Sequence, residues 1–320
     1  MKFYILKILI PLMLFVTSCA DRSLFTDPEI DPGLGGVYTK INGELTGVLL
    51  KSNSPYLVTS DISINAGTTL IIEPGVLIFF KDETCLQITG GLKASGNKEN
   101  PIFFKAFEQG WEGIHATDPT DSLIFTYCNI EDVYLPHESG LKYGAIETNN
   151  ADLLIKNCYF FNNYTQFGGA LALFATKSEI INNVFYYNDA VVYGGAILSQ
   201  NSSNKIINNT FYKNYCLNFG GGLVLADPIS EEIQNNIFYD NFSYLGDPRI
   251  ELVSGDSTNV FEQYNFLAFG EMDPLFVSNR DFHLSENSPC KNAGNPEPIY
   301  NDFDGTRNDQ GAYGGPGGDW

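Results

Sequence analysis

The chain has 320 residues, and its 38 Asp and Glu outnumber its 18 Lys and Arg, which leaves a net charge of −20. So acidic a protein is a poor partner for nucleic acid or for an anionic membrane surface. Hydrophobic residues make up 43% of the sequence, which is enough for one continuous core, so we expect one domain with a short closing segment.

The chain begins with a stretch typical of a secretory signal. Lys2 and Lys7 accompany an apolar run that is too short to span a bilayer as a lone helix, and small residues follow it. The next letters, VTSC, are similar to the bacterial lipoprotein cleavage box, which implies cleavage before Cys19 and lipid attachment to that residue. The alternative is an ordinary signal peptide with a chance cysteine. We predict a lipoprotein signal peptide over residues 1–18.

Residues 19–36 are predicted to be the lipidated cysteine and a tether. Their Asp, Pro and Gly content argues against a packed element. Several acyl chains on one residue anchor a protein stably, whereas a single chain holds weakly. We therefore predict an outer-membrane lipoprotein of the cell envelope, facing either the periplasm or the cell surface.

The middle of the chain contains an internal repeat. The stretches NCYFFNNYTQFGGALAL, NNVFYYNDAVVYGGAILS and NNTFYKNYCLNFGGGLVLA follow one another at a period of about 26 residues. Repeats of this length indicate a solenoid or an array. Their short runs of Ile, Val and aromatic residues, broken by Gly and Asn, favour strands and tight turns over helices. Stacked coils of this kind pair strand to strand and form parallel sheets.

Two kinds of residue recur once per coil and are predicted to be structural. Aromatic side chains are expected to stack inside the solenoid, and asparagine amides are expected to bond to one another at the bends. The Gly pair of each copy allows a corner with positive φ. The predicted ladder residues are Asn157, Asn183, Asn209 and Asn236, with Phe185, Phe211 and Phe238.

Three blocks of the sequence resemble right-handed parallel β-helix repeat proteins. The first block is SPYLVTSDISINAGTTLIIEPGVLIFF. The second is the set of repeated Gly-Gly-Ala-Ile and Phe-x-x-Asn pairs, which are similar to those of the polymorphic outer-membrane protein family. The third is the segment from DPLFVSNRDF to the end. The resemblance implies an all-β, right-handed parallel β-helix of about eight coils over residues 37–269, and a C-terminal closing segment over residues 270–320. This fold includes polysaccharide lyases, glycosidases and adhesins, so function has to be argued from sites.

The strand after each Gly pair predicts one row of side chains that point outward. If Ile114, Ile146 and their equivalents point inward, the next residue of each strand points outward. That row is His115, Glu147, Ala172, Leu198 and Val224.

His115 and Glu147 are the candidate catalytic residues. They are expected to lie side by side on adjacent coils near Asp118, and the insertion before the second coil could bring His137 and Glu138 close. An imidazole beside a carboxylate is suited to acid–base chemistry or to part of a metal site. The alternative is an exposed ion pair that stabilises the sheet only slightly.

Ala172, Leu198 and Val224 are the candidate binding residues, together with Asp118. An exposed apolar row three coils long is typical of a binding surface. The alternative is that the C-terminal segment folds back and covers the row.

Five cysteines follow Cys19, and their odd number argues against complete pairing. Cys128 and Cys158 occupy similar places in consecutive coils, where stacked strands are about 5 Å apart and within reach of a disulfide. A disulfide and a pair of free thiols both remain open for them.

The stretch NDFDGTRNDQG contains Asp302, Asp304 and Asp309 around a glycine and suggests a calcium loop. It lacks the complete twelve-residue EF-hand pattern. A capping turn, in which Arg307 pairs with an aspartate, is the alternative.

These features favour non-enzymatic binding or display at the cell surface, with a polysaccharide or another protein as the ligand. A carbohydrate-active enzyme, either a lyase or a glycosidase, is the second hypothesis, and a structural spacer is the third. Lyases of this fold need a basic residue near the substrate, and the lysines of the repeats lie outside the outward row. Those lysines are Lys156, Lys177, Lys205 and Lys213.

Overall fold

Short strands follow one another with sharp bends between them, as the sequence pattern predicts. The computed structural model describes residues 37–135, 141, 143–268 and 271–320. The strands wind into a solenoid of about eight turns whose later turns pass through four faces. We number these faces in the order in which the chain visits them after each Gly pair.

Face 1 contains the strands that follow the Gly pairs and their earlier equivalents, Leu86–Ile88, Ile114–Thr117, Ile146–Asn149, Leu171–Phe174, Ile197–Gln200, Leu223–Ala226 and Ile250–Ser254. Face 2 is a separate sheet of Gly47–Leu49, Thr69–Ile72, Gly91–Ser95, Leu123–Thr126, Asp152–Lys156, Lys177–Ile181, Ser203–Ile207, Ser230–Gln234 and Val260–Gln263.

Face 3 consists of Leu77–Phe80, Ile102–Ala106, Cys128–Glu131, Tyr159–Phe161, Val184–Tyr186, Thr210–Tyr212, Ile237–Tyr239 and Phe266–Leu267. Face 4 is a small sheet of Tyr164–Phe167, Asp189–Tyr193, Tyr215–Phe219 and Phe242–Leu245. In the first turns, the long strands Thr39–Glu44 and Tyr56–Ile64 serve both face 3 and face 1. Short 3-10 helices lie at Lys51–Asn53, Ser257–Asn259 and Pro298–Tyr300.

All the strand pairs between successive turns are parallel. No helix among the residues described above is long and apolar enough to cross a membrane.

The core runs along the inside of the turns and contains the predicted inward row of face 1. Ile114, Ile146, Leu171 and Ile197 are all fully buried there. On face 3, Phe185 lies between Phe160 and Phe211, with ring centroids 5.0 and 4.8 Å away. The stack continues to Phe238 at 4.4 Å, with the ring planes almost parallel. Stacked rings of this kind contribute both buried area and favourable ring–ring contact.

Asparagine side chains form two ladders at the bends on either side of face 3. In the first ladder, Nδ2 of Asn183 donates to Oδ1 of Asn209, and Asn209 donates in the same way to Asn236, both at 3.0 Å. The second ladder contains Asn163, Asn188, Asn214 and Asn241. Each amide also bonds to backbone groups of adjacent turns, so the bends satisfy buried polar groups that would otherwise be unpaired.

Asn157 does not belong to the first ladder, and this expectation was wrong. Face 3 pairs Tyr159 with Val184, so the turn that contains Asn157 is one residue shorter at this point than the equal spacings suggested. Cys158 therefore occupies the ladder position and its backbone N–H donates to Asn183 Oδ1 at 2.8 Å. Asn157 has positive φ at the corner, and its Oδ1 is buried without a hydrogen bond.

The Gly pairs form the corner between face 4 and face 1. Gly194 has a φ of 67°, and a Cβ atom there would lie 2.2 Å from the Ile197 carbonyl oxygen. A side chain cannot fit at that distance, so the corner requires glycine.

The C-terminal segment, residues 271–320, packs along the side of the solenoid. Phe282 and Ala312 contact the outward tyrosines of face 3. Nδ2 of Asn208 donates to the Asp309 carbonyl at 2.9 Å, and Lys98 bonds to the Asp319 carbonyl at 2.8 Å. The segment therefore runs back over several turns and covers face 3.

Candidate ligand-binding surface

His115 and Glu147 lie side by side on adjacent strands of face 1, as the sequence predicts. Nδ1 of His115 is 2.9 Å from Oε2 of Glu147, and Nε2 is 2.7 Å from the backbone carbonyl of Glu112. About a quarter of each side chain is exposed, 26% for the histidine and 27% for the glutamate. Both nitrogens of the imidazole are therefore engaged within the protein, and neither is open to a substrate.

Asp118 lies beyond this pair, at the corner between face 1 and face 2. Its φ is 44°, and its carboxylate accepts a hydrogen bond from Nδ2 of Asn150 at 2.8 Å. Asp and Asn tolerate this left-handed conformation better than most residues do, which explains their recurrence at the corner. His137 and Glu138 lie outside the described residues.

The apolar row is buried, so the expected exposed surface is absent at these positions. Ala172 and Val224 have no exposed area, and Leu198 is only 3% exposed. The three side chains lie outside the core cluster that contains their neighbours in the strands, which agrees with their predicted outward direction. Other side chains of the solenoid must therefore cover them.

A row of aromatic rings lies just before the Gly pairs, and we call it the aromatic row. It consists of Tyr143, Phe167, Tyr193 and Phe219, one from each of four successive turns. Neighbouring ring centroids are 5.1, 6.0 and 5.9 Å apart. All four side chains are half-buried.

A cavity of about 320 Å³ lies between the aromatic row and face 1, and we call it the trough. Its lining residues are Tyr143, Phe167, Phe174, Tyr193, Leu198, Gln200, Ala226, Val253 and Ser254. Aromatic and aliphatic walls with a few polar groups are typical of small-molecule sites, whose volumes run from about 300 to 1,000 Å³. Ligand contact at Leu198 would therefore occur inside a cavity instead of on an open surface.

Face 4, which adjoins the trough, carries exposed apolar side chains on the strands of its last two turns. They are Leu217, Phe242, Tyr244 and Leu245, and they are 44–66% exposed. Tyr215 and Phe242 stack with centroids 5.2 Å apart. An exposed apolar patch of this kind is typical of an interaction site.

Comparison with known proteins agrees with this architecture. Residues 137–266 match the protein family described as "Right handed beta helix region". The solenoid is a right-handed parallel β-helix. A stretch of 60 residues, 19% of this chain, is 37% identical to "Protein bark beetle" of Drosophila melanogaster, and the match spans 2% of that protein. No solved structure matches the chain.

The acidic loop after the β-helix holds its carboxylates in hydrogen bonds. Asp302 accepts from the backbone N–H of Asp309 at 3.0 Å, and Asp304 accepts from the Thr306 hydroxyl at 2.6 Å. Burial raises the pKa values of Asp302 and Asp309. Within the described residues, no group of three or more His, Cys, Asp or Glu side chains is placed to hold a metal ion. Arg307 does not pair with an aspartate as expected, because it donates to the Gly294 carbonyl.

Cys128 and Cys158 are neighbours with free thiols. The backbone N–H of Cys128 is 3.3 Å from Sγ of Cys158, and both side chains are fully buried. Burial raises the pKa of Cys128 well above its usual value, which makes its thiol unreactive.

A buried carboxyl group inside the β-helix was not identified from the sequence. Glu231 is 1% exposed and accepts hydrogen bonds from the Ser199 hydroxyl at 2.7 Å and from Nδ2 of Asn204 at 2.8 Å. Burial raises the pKa of Glu231 to about 8. One signal was available: face 2 pairs Ser178 with Asn204 and Asn204 with Glu231, so polar residues recur at one inward position.

Proposed function

We propose that the protein is a cell-envelope lipoprotein that displays its β-helix for non-enzymatic binding of an extracellular ligand. The observation that carries this proposal is the trough beneath the aromatic row, with the exposed apolar residues of face 4 beside it. These features support the proposal because their apolar side chains lie on one side of the β-helix, while the C-terminal segment covers face 3.

The outward row supports binding over catalysis. Neither nitrogen of His115 is open, because one faces Glu147 and the other faces a backbone carbonyl. A general base must reach the proton that it removes, directly or through one water molecule. The described positions of the row contain no lysine or arginine.

The envelope location rests on the sequence of the first residues, which lie outside the described part of the chain. Lys2, Lys7 and the apolar run before Cys19 have the arrangement of a lipoprotein signal. Labelling of the full-length protein in growing cells with a radioactive fatty acid tests this part. We expect label in the native chain and none in Cys19→Ser, and label in neither would contradict lipidation.

The binding proposal is tested against a panel of polysaccharides with the full-length protein in detergent and with calcium present. We expect retention of the protein on at least one polymer and no new reducing ends or unsaturated products over hours. Cleavage that disappears in both His115→Ala and Glu147→Ala would make the protein an enzyme with that pair at its centre. Cleavage that persists in both variants would also overturn the proposal and would place the catalytic site elsewhere.

A further inference from the structure

We propose that the trough binds an uncharged sugar unit, held between the aromatic row and the outer ends of the face 1 strands. This inference rests on the proposed binding function and adds to it a site and a class of ligand. It follows from three properties of the trough: its free hydrogen-bonding groups, its charge and its apolar walls.

The free hydrogen-bonding groups of the trough are neutral. They are the hydroxyls of Tyr143, Tyr193 and Ser254 and the amide of Gln200. These four side chains make no hydrogen bond to any other described residue, although nearby bends are densely bonded. Hydroxyl and amide groups both donate and accept, and this matches the hydroxyl groups of a sugar.

Charge excludes an acidic ligand. None of the lining residues is charged, and the Glu147 carboxylate acts electrostatically on Tyr143 in the wall of the trough. Burial raises the pKa of Tyr143, and the negative charge of Glu147 raises it further. A ligand carboxylate or sulfate would meet the same repulsion without a lysine or arginine to offset it.

The walls of the trough favour a ligand with apolar faces over a fully hydrated one. Phe167 and Tyr193 are tilted by 46° to each other, so the two rings do not cover one another completely. Leu198 and Val253 provide aliphatic surface opposite them. The C–H faces of a pyranose ring pack against such surfaces, and its hydroxyl groups reach the polar rim. A purely hydrocarbon ligand would leave Gln200 without a partner, which costs affinity.

The arrangement of the rings also suggests the direction of a longer ligand. Tyr143, Phe167 and Tyr193 come from three successive turns, so the aromatic row runs along the axis of the β-helix. The trough itself is near the lower limit of small-molecule sites and holds one or two sugar rings. Further rings of an oligosaccharide would continue along the row.

The test measures binding of two sets of oligosaccharides by calorimetry, with the full-length protein in detergent. One set is uncharged, and the other consists of uronic acid chains of the same length. The variants are Gln200→Ala and Tyr193→Ala in the trough, with Ile71→Ala on face 2 as the matched control, since Ile71 is 44% exposed and outside both the lining and face 4. We expect uncharged chains to bind, with a loss of about tenfold in each trough variant and no change in the control.

Each of the other possible outcomes would overturn one part of the proposal. Equal or tighter binding of the acidic chains would reject the ligand class, while the binding function would stand. Binding of uncharged chains that is unchanged in both trough variants would reject the site. A folded protein that binds neither set would reject the inference, and retention on the polysaccharide panel would then decide separately whether the binding function itself fails.

Discussion

The backbone N–H of Cys158 donates to Oδ1 of Asn183 at 2.8 Å, so the first asparagine ladder ends on a cysteine. In the following turns the same position holds Asn209 and Asn236, and each amide there bonds to the next. Sγ of Cys158 is in turn 3.3 Å from the backbone N–H of Cys128. The column therefore continues past the last amide, with sulfur as a weaker acceptor in place of oxygen.

Asn209 is the residue whose loss should weaken this column most. Its Oδ1 accepts from both the backbone N–H and the side chain of Asn183, and its Nδ2 donates to Asn236. We expect Asn209→Leu to lower the free energy of unfolding by about 2 to 5 kcal/mol, because buried donors and acceptors lose their partners. Urea unfolding followed by circular dichroism measures the change.

The matched control for this prediction is Asn218→Leu, at a half-buried asparagine in a strand of face 4. We expect a change of less than about 1 kcal/mol there, since surface substitutions away from bonded networks have small effects. If both variants lose the same free energy of unfolding, the ladder stabilises the protein no more than an ordinary half-buried asparagine does.

The repeat was sufficient to predict the fold, the Gly corners and the inward row of face 1. A residue that recurs once per turn must occupy one place in the cross-section, so a period alone identifies columns. The exact column of Asn157 could not be predicted, because equal Asn and Gly spacings do not reveal that one extra residue lies between these two positions. Pairs such as Asp152 with Lys177 on face 2 and Tyr159 with Val184 on face 3 are 25 residues apart, and one extra residue at the register shift on face 4 gives the 26-residue Gly spacing.

The candidate site was only partly predictable for a different reason. Strand alternation gave the outward direction of Ala172 and Leu198 correctly, but direction does not determine exposure. Leu198 lines the trough together with Phe167 and Tyr193 from another face, and alternation within one strand contains no information about such neighbours. One of the two partners of His115 could be predicted, because the strand register places Glu147 beside it. The other partner, the Glu112 carbonyl, depends on the local bend of the chain and could not be predicted.

The buried carboxyl of Glu231 should make stability fall as the pH rises. Its pKa is about 8 in the folded protein against a usual value of 4.5, so between these values the folded state keeps a proton that the unfolded state loses. Stability is therefore greatest below about pH 4.5 as far as this group is concerned, and it falls by about 1.4 kcal/mol per pH unit up to about pH 8. Above about pH 8, Glu231 is ionised in both the folded and the unfolded protein, so it no longer makes stability depend on pH.

Glu231→Gln tests this, because the amide keeps the size of the side chain and cannot ionise. We expect urea midpoints at pH 5 and pH 8.5 to lie closer together in this variant than in the native chain. The exposed carboxylate of Glu179, 3.2 Å from Lys205, provides the control Glu179→Gln, which should keep the native pH dependence. A native difference that survives in Glu231→Gln would contradict the assignment.

Glu262 should prevent the last turn of the β-helix from joining another copy. Face 2 pairs it with Ile233, which is fully buried, so the glutamate stands at an inward position of the terminal strand Val260–Gln263. Among the described residues this strand pairs on one side only, and inward charges on such edges block further pairing. We expect Glu262→Val to self-associate with rising concentration in analytical ultracentrifugation.

The control for association is Glu286→Val, at an exposed glutamate of the C-terminal segment. It adds the same apolar side chain to the surface without altering the terminal turn. A monomeric Glu262→Val protein, or equal association of both variants, would show that the charge does not protect the edge.

Asn208 should hold the C-terminal segment against the β-helix. Its Nδ2 donates to the Asp309 carbonyl at 2.9 Å, and its Oδ1 accepts from Nδ2 of Asn308 at 3.1 Å. We expect Asn208→Ala to increase the rate of proteolytic cleavage within the segment by about tenfold, because each lost buried bond costs about 1 kcal/mol. Asn201→Ala is a close control, since both asparagines have a positive φ, 53° and 50°, and Asn201 is exposed. Both variants carry the same backbone strain, so faster cleavage in Asn208→Ala alone reports the lost contacts, and equal rates would contradict a role for Asn208 in holding the segment.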